Sequence, residues 1–173
     1  IDVAQKRLVL EGGALDYDFL VVATGATHSY FGHDEWAPLA PGMKTLDDAL
    51  DIRRRVLMAF EAAEQETDLA AQQAWMNFVV VGAGPTGVEM AGALAEIAHD
   101  TLRRDFRRID PRRARVILVE GENRVLPPYP EKLSASARHQ LEKLGVEVKL
   151  STRVTGIDTQ GVSMGAERLA ART

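Results

Sequence analysis

The sequence predicts an α/β fold in which a parallel sheet is doubly wound by helices. Two short runs, residues 78–81 and 116–119, consist only of apolar residues. Continuous apolar runs of this length are typical of strands buried on both faces, as strands of a parallel sheet are. Each run is followed by a segment with apolar residues at helical spacing, which gives the order β-α-β-α-β. This alternation is the pattern of a doubly wound sheet.

A strand pair and a connecting segment are predicted before this core. Residues 3–10 alternate loosely, and residues 15–23 form a second strand. Its last part, residues 19–23, is continuously apolar and is expected to be buried. Residues 26–44 are predicted to be an ordered crossing segment, because their aromatic side chains favour burial.

The remaining elements follow from caps and periodicity. Thr45 is a suitable N-cap for a long helix, and a loop is expected near residues 68–73. Apolar residues at helical spacing predict another helix at 133–144, ended by Gly145. Residues 146–150 alternate as a strand, and further short strands are expected after it.

The composition excludes several classes of protein. The formal net charge of −4 argues against a protein built mainly to bind nucleic acid. No apolar run is long enough to span a membrane, and the chain itself is expected to be soluble. There is no cysteine, and the four histidines are scattered, so neither a disulfide nor a metal site is expected.

A glycine-rich motif lies between the strand at 78–81 and the following helix. It comprises Gly82, Ala83, Gly84, Pro85, Thr86 and Gly87. In this context the first glycine permits a tight turn, the second lets a pyrophosphate approach the backbone, and the third lets helix and strand pack closely. The free N–H groups at the helix start then bind the phosphates. The motif therefore predicts a dinucleotide site, in preference to a purely structural turn.

An acid that accepts hydrogen bonds from the adenosine ribose is expected at the end of the next strand. By residue count, Asp105 and Asp110 are nearest, but neither ends a strand. Glu120 does, if the first helix is extended by residues 101–113, and it is the predicted acid. A carboxylate there repels a 2′-phosphate, so NADH is favoured over NADPH; Arg124 leaves NADPH open as the alternative.

Two further charged features have competing interpretations. Glu89 could orient the nicotinamide end of the dinucleotide, or could only be a first-turn glutamate that the helix dipole favours. The arginines in residues 103–115 are interpreted first as a solvated basic surface at a helix end, and second as a contact for anionic lipid or a protein. His99 and His139 are expected to be structural.

Four segments in this order resemble one family. They are YDFLVVATGATHSYFG at 17–32, the helix at 45–64 with DIRRR, GAGPTGVE at 82–89, and RVLP at 124–127. Together they resemble the type II NADH dehydrogenases, the single-subunit NADH:quinone oxidoreductases of the pyridine nucleotide-disulfide oxidoreductase superfamily.

The resemblance implies two Rossmann-like domains in one longer protein. Residues 1–36 would be the tail of an FAD-binding domain and the crossing segment, and residues 37–173 an NADH-binding domain that is incomplete at its C-terminus. Ala23, Thr24 and Gly25 would lie against FAD, the glycine motif would hold NADH, and Glu89 would lie near the nicotinamide. Hydride would pass from NADH to flavin N5 and the electrons then to quinone. No catalytic side chain and no metal is required.

The resemblance also concerns the longer protein as a whole. It would be a peripheral protein on the cytoplasmic face of the inner membrane, attached through parts that this chain lacks. A homodimer is left open, and this chain alone is expected to be inactive. Two alternatives are a domain of a ferredoxin or disulfide reductase-like flavoprotein, and an NAD(H)-binding sensor module without catalysis.

Overall fold

The computed structural model describes residues 1–172. In chain order its strands and α-helices are β1 (Arg7–Leu10), β2 (Gly13–Asp16), α1 (Leu46–Gln65), α2 (Leu69–Trp75), β3 (Asn77–Val81), α3 (Pro85–Glu96), β4 (Arg115–Val119), α4 (Glu131–Lys143), β5 (Val146–Lys149), β6 (Gly156–Asp158), β7 (Gly161–Met164) and β8 (Glu167–Ala170).

The centre of the fold is a parallel sheet with the strand order β3-β4-β5. Its middle strand is buried on both faces, because Val116 and Leu118 belong to one hydrophobic cluster and Ile117 and Val119 to another. The two apolar runs of the sequence lie in β3 and β4, which pair in parallel, so the predicted α/β fold is confirmed.

Helices cover one face of this sheet. The cluster on that face joins α1, α3 and α4 to the strands, and Phe60 of α1 lies 5.3 Å from Phe78 of β3 between ring centroids. The other face is covered by the antiparallel sheet β6-β7-β8, whose Val162 and Met164 pack on Ile117. The short strands expected after β5 therefore form a complete layer of the domain.

The predicted start of α1 is confirmed. The Thr45 side chain accepts from the N–H of Asp48, and the Asp48 carboxylate accepts from the N–H of Thr45, which forms a capping box. The loop expected near residues 68–73 is wrong. Asp68 caps the helix α2 there, because its carboxylate accepts from the N–H of Ala71. The end of α4 just before Gly145 is as predicted.

The second predicted strand is shorter than expected. β1 and β2 form an antiparallel hairpin, but β2 ends at Asp16. Residues 19–23 belong to no strand and are exposed, with Phe19 at 94%. The expectation that they are buried is wrong because, within residues 1–172, no neighbouring strand pairs with them and no layer covers them. Phe31 of the crossing segment is also exposed, whereas Tyr30 and Trp36 are half-buried.

The prediction that residues 101–113 extend α3, the helix that follows the glycine motif, is also wrong. α3 ends at Glu96, a π-helical turn covers Ile97–Thr101, and a 3-10 turn follows only at Pro111–Arg113. The segment between them is held in an irregular course because Glu64 of α1 accepts hydrogen bonds from its backbone N–H groups. Its arginines therefore lie on a loop and not on a helix end.

Candidate functional site

The glycine turn connects the carboxyl end of β3 to the start of α3. The N–H of Gly82 donates to the carbonyl of Val119 at 2.8 Å, which ties the turn to the neighbouring strand. Gly82 has a φ of +96°, a conformation that side chains disfavour. A Cβ on Gly87 would overlap the carbonyl oxygen of Gly82, so helix and strand approach as closely as the motif requires. These two glycines serve the chain's own packing.

Gly84 differs from both of these glycines. Its backbone is extended, with φ −70° and ψ −179°, and a Cβ built on it would have nothing within 4 Å. Neither backbone conformation nor internal packing therefore requires a glycine here. Gly84 is the N-cap residue of α3, and Pro85 occupies the first turn, where its missing N–H removes no helical hydrogen bond. The open position lies at a helix N-terminus, where anions are favoured.

Glu120 directly follows β4 and reaches the glycine turn. Its Oε2 accepts from the N–H of Ala83 at 2.6 Å, and its Oε1 accepts from the N–H of Glu122 at 2.9 Å. A carboxylate offers about four acceptor positions, so both oxygens keep capacity for hydroxyl donors. Asp105 and Asp110 are not brought to this place, and Asp110 instead pairs with Arg112.

Arg124 is engaged within its own loop. Its Nη2 donates to the carbonyl of Pro127 at 2.7 Å, and its Nη1 lies 3.6 Å from a carboxylate oxygen of Glu131. A guanidinium held in this way is not directed by the fold toward a 2′-phosphate.

A cleft of about 650 Å³ lies beside the glycine turn. Its lining includes Gly82 and Gly84 with the start of α3, and it also includes residues of the crossing segment, among them His28 and Tyr30. The Tyr30 hydroxyl donates to the carbonyl of Ala40 at 2.7 Å and holds that segment in a defined course. The glycine turn and the crossing segment therefore face a common space large enough for part of a dinucleotide.

Ala23, Thr24 and Gly25 lie on an exposed stretch of chain that leads into the crossing segment. Gly25 has a φ of +75°, and a Cβ there would lie 3.7 Å from Nζ of Lys44. Small residues on an exposed backbone permit close approach of a planar group, so this segment is compatible with a flavin.

Glu89 is the fifth residue of α3 and lies beyond the first turn, in which no acidic residue occurs. Its side chain is exposed, and it does not line the cleft. The interpretation of Glu89 as a first-turn glutamate is therefore wrong, whereas a role near the nicotinamide stays a prediction.

The two helical histidines have different surroundings. His139 is exposed on α4. The His99 nitrogens lie 3.1 Å from the carbonyl oxygens of Leu144 and Ala114, so the ring joins the end of α4 to the segment before β4. Within residues 1–172 no helix is both long and apolar enough to cross a membrane.

Glu64 of α1 has a structural role in this region that the sequence does not indicate. Desolvation raises the pKa of Glu64, but hydrogen bonds from the N–H groups of Arg108, Ile109 and Arg107 outweigh it, so that the net pKa lies below its ordinary value of 4.5. No spacing rule pairs α1 with a loop more than forty residues later.

The parallel sheet, the glycine turn and the covering antiparallel sheet together define a Rossmann-like α/β domain. The chain belongs to the pyridine nucleotide-disulphide oxidoreductase family, whose profile matches residues 1–171.

Relatives at higher similarity confirm the resemblance seen in the sequence. A type II NADH:quinone oxidoreductase of Mycobacterium tuberculosis, NdhA, is 53% identical over 156 residues, which are 88% of this chain and 33% of the relative. A second type II NADH:quinone oxidoreductase of this organism, Ndh, is 52% identical and is covered to 32%. The chain thus spans about a third of the length of these relatives.

A solved structure of similar fold is that of NDH2 from Plasmodium falciparum in complex with NADH. The two structures superimpose with a TM-score of 0.77 at 25% sequence identity. The match covers 91% of this chain and 34% of the Plasmodium chain. A ferredoxin reductase from Rhodopseudomonas palustris has the same fold, with a TM-score of 0.60 at 22% identity.

Proposed function

We propose that this chain is the NADH-binding part of an FAD-dependent NADH:quinone oxidoreductase. The observation that carries the proposal is Gly84, a glycine at a helix N-terminus whose Cβ position is open and borders the cleft. The chain has no internal use for a glycine there, whereas an approaching pyrophosphate does. The relatives named as NADH:quinone oxidoreductases support the same assignment.

The chain's own residues bind and orient the dinucleotide. The first-turn N–H groups of Thr86 and Gly87 have no intrahelical acceptors and donate to the diphosphate. Glu120 accepts from the ribose hydroxyls with the acceptor positions that Ala83 and Glu122 leave free. Its charge disfavours a 2′-phosphate, and Arg124, whose guanidinium donates to the carbonyl of Pro127, does not compensate for it, so NADH is the preferred substrate.

We propose the predicted domain division on the same grounds. Residues 1–36 contribute to the FAD-binding domain, and residues 37–173 form the NADH-binding domain, of which Thr173 lies outside the described residues. Ala23, Thr24 and Gly25 contact FAD, which when bound accepts the hydride of NADH and transfers the electrons to quinone. Glu89 orients the nicotinamide end. The binding residues position the substrate and exclude water, and no protein nucleophile is involved.

The cellular setting is a further proposal. A quinone is a lipid-soluble acceptor, so the longer protein works as a peripheral protein on the cytoplasmic face of the inner membrane. Sedimentation velocity of the longer protein tests whether it forms a homodimer.

Titration of the longer protein with NADH and, separately, NADPH tests the substrate assignment, and rapid mixing with absorbance detection of the flavin tests the chemistry. We expect tighter binding of NADH, reduction of the flavin by NADH, and re-oxidation by a quinone. Re-oxidation only by ferredoxin or a disulfide would favour a reductase of that kind. NADH binding without flavin reduction would favour a sensor module.

A further inference from the structure

The loop that follows Glu120 contacts the glycine turn through its backbone. We call residues 123–127 of this loop the strap. The N–H of Leu126 in the strap donates to the carbonyl of Ala83 at 2.7 Å. On its other side, the N–H of Ala83 donates to Glu120 at 2.6 Å. Ala83 is completely buried, and both of its backbone groups are hydrogen-bonded to residues of the segment that follows β4.

This contact determines the direction of a neighbouring donor. The carbonyl of Ala83 and the N–H of Gly84 belong to one planar trans peptide unit, in which they point in opposite directions. Because Leu126 holds that carbonyl toward the strap, the N–H of Gly84 points away from it. Among residues 1–172 this N–H has no hydrogen-bond acceptor, and Gly84 borders the cleft. The strap therefore orients a free donor at the edge of the candidate site before any ligand arrives.

The strap itself adopts a conformation that it would not adopt alone. Leu126 has a φ of +50°, in the left-handed region that residues with a side chain disfavour. Such a conformation persists only where the surroundings impose it. Val125 is buried, and its carbonyl accepts from the Oγ of Ser134 on α4. Arg124 closes the strap by donating to the carbonyl of Pro127 at 2.7 Å.

We infer that Ser134 is a positioning residue of the pyrophosphate site, acting through the strap. Its hydroxyl holds the carbonyl of Val125, and Leu126 consequently keeps the left-handed conformation that directs its N–H to Ala83. Without this hydroxyl, the buried carbonyl of Val125 loses its partner and Leu126 can relax toward negative φ. The amide of Gly84 is then no longer pre-oriented, and NADH binding must reorder it. This inference rests on the proposed function.

The test compares Ser134→Ala with Ser136→Ala in the full-length protein. Ser136 lies on the same helix but is exposed, and its hydroxyl contacts only Gln140 within the described residues. We expect the Kd for NADH, measured by calorimetry, to rise about tenfold in Ser134→Ala and to stay within twofold of wild type in Ser136→Ala. Hydrogen exchange at the Leu126 amide is expected to accelerate in Ser134→Ala only.

Two further variants separate positioning from loss of stability. Val146→Ala removes buried volume from β5, away from the strap, and is expected to lower the Tm without changing the Kd at temperatures well below it. Leu126→Gly lowers the cost of the left-handed conformation that leucine disfavours, so adding it to Ser134→Ala is expected to restore part of the lost NADH affinity while the protein remains folded.

The outcomes distinguish the two proposals. If the wild-type protein binds no NADH, the proposed function fails. If wild type binds NADH but Ser134→Ala has the Kd of Ser136→Ala, or Val146→Ala raises the Kd as much as Ser134→Ala does, the positioning role is overturned.

Discussion

Replacing Gly84 with valine separates ligand binding from folding at the glycine turn. The extended backbone of Gly84 accepts any side chain, and a Cβ there meets nothing within 4 Å. An apolar residue is a poorer N-cap than glycine, and this lowers the free energy of unfolding by about 1 kcal/mol. Valine also restricts the unfolded chain more than glycine does, and this raises the free energy of unfolding by about 0.4–1 kcal/mol. We therefore expect the Tm to change by no more than a few degrees.

The effect on NADH binding is expected to be much larger. The added side chain occupies the space through which the pyrophosphate would reach the first-turn amides of α3. Hydrogen bonds to charged groups contribute about 1.5–3 kcal/mol each, so the loss of two weakens binding by about 3–6 kcal/mol. This corresponds to a rise in Kd of roughly 10²- to 10⁴-fold.

The assay combines calorimetric titration with NADH and thermal denaturation of the same samples. Gly12→Val is the matched control, because Gly12 also has nothing within 4 Å of its Cβ position and lies in the distant β1–β2 turn. Gly87→Ala is the contrasting variant and is expected to unfold, since its Cβ would overlap the carbonyl oxygen of Gly82. An unchanged Kd in Gly84→Val would contradict the placement of the pyrophosphate at Gly84, and a collapse of its Tm like that of Gly87→Ala would show that the fold itself requires this glycine.

Three further substitutions test the acids of this region. Glu120→Ala is expected to narrow the preference for NADH over NADPH, measured as the ratio of their Kd values; a constant ratio would mean that another residue reads the ribose. In the longer protein, Glu89→Gln is expected to slow flavin reduction, followed by rapid mixing, more than it weakens NADH binding, and equal effects would argue against orientation of the nicotinamide. Because the pKa of Glu64 is lowered in the fold, its ionised form stabilises the protein above pH 4.5, and this contribution is lost as the pH falls through the folded pKa. The Tm deficit of Glu64→Gln should accordingly be largest at neutral pH and shrink in acid, whereas a deficit independent of pH would rule out the charge as its cause.

The buried parallel strands were predictable because apolar runs report burial directly. Residues 78–81 and 116–119 became β3 and β4, and Glu120 could be chosen because it ends the second of these strands. The helical extension predicted for the intervening segment is nevertheless wrong, because α3 ends at Glu96. The end of the strand thus predicted which acid lies at the glycine turn, although the predicted path of the chain between the strands is wrong.

Residues 19–23 show the opposite case. Their apolar run has the same appearance as β3, yet they are exposed and unpaired within residues 1–172. A hydrophobic pattern indicates that a segment favours burial, but whether it is buried depends on the surface that covers it.

The α/β class, the cap of α1 at Thr45, the glycine turn and the candidate acid Glu120 were all predictable from the amino-acid sequence. These features depend on local chemistry, namely side-chain periodicity, capping and the need for glycine at particular positions. In contrast, the hydrogen bonds of Glu120 and Leu126 to Ala83, and that of Ser134 to the strap, become visible only in the folded chain. These contacts join groups from different elements through backbone donors and acceptors that every residue carries, and only the folded arrangement selects which of them meet.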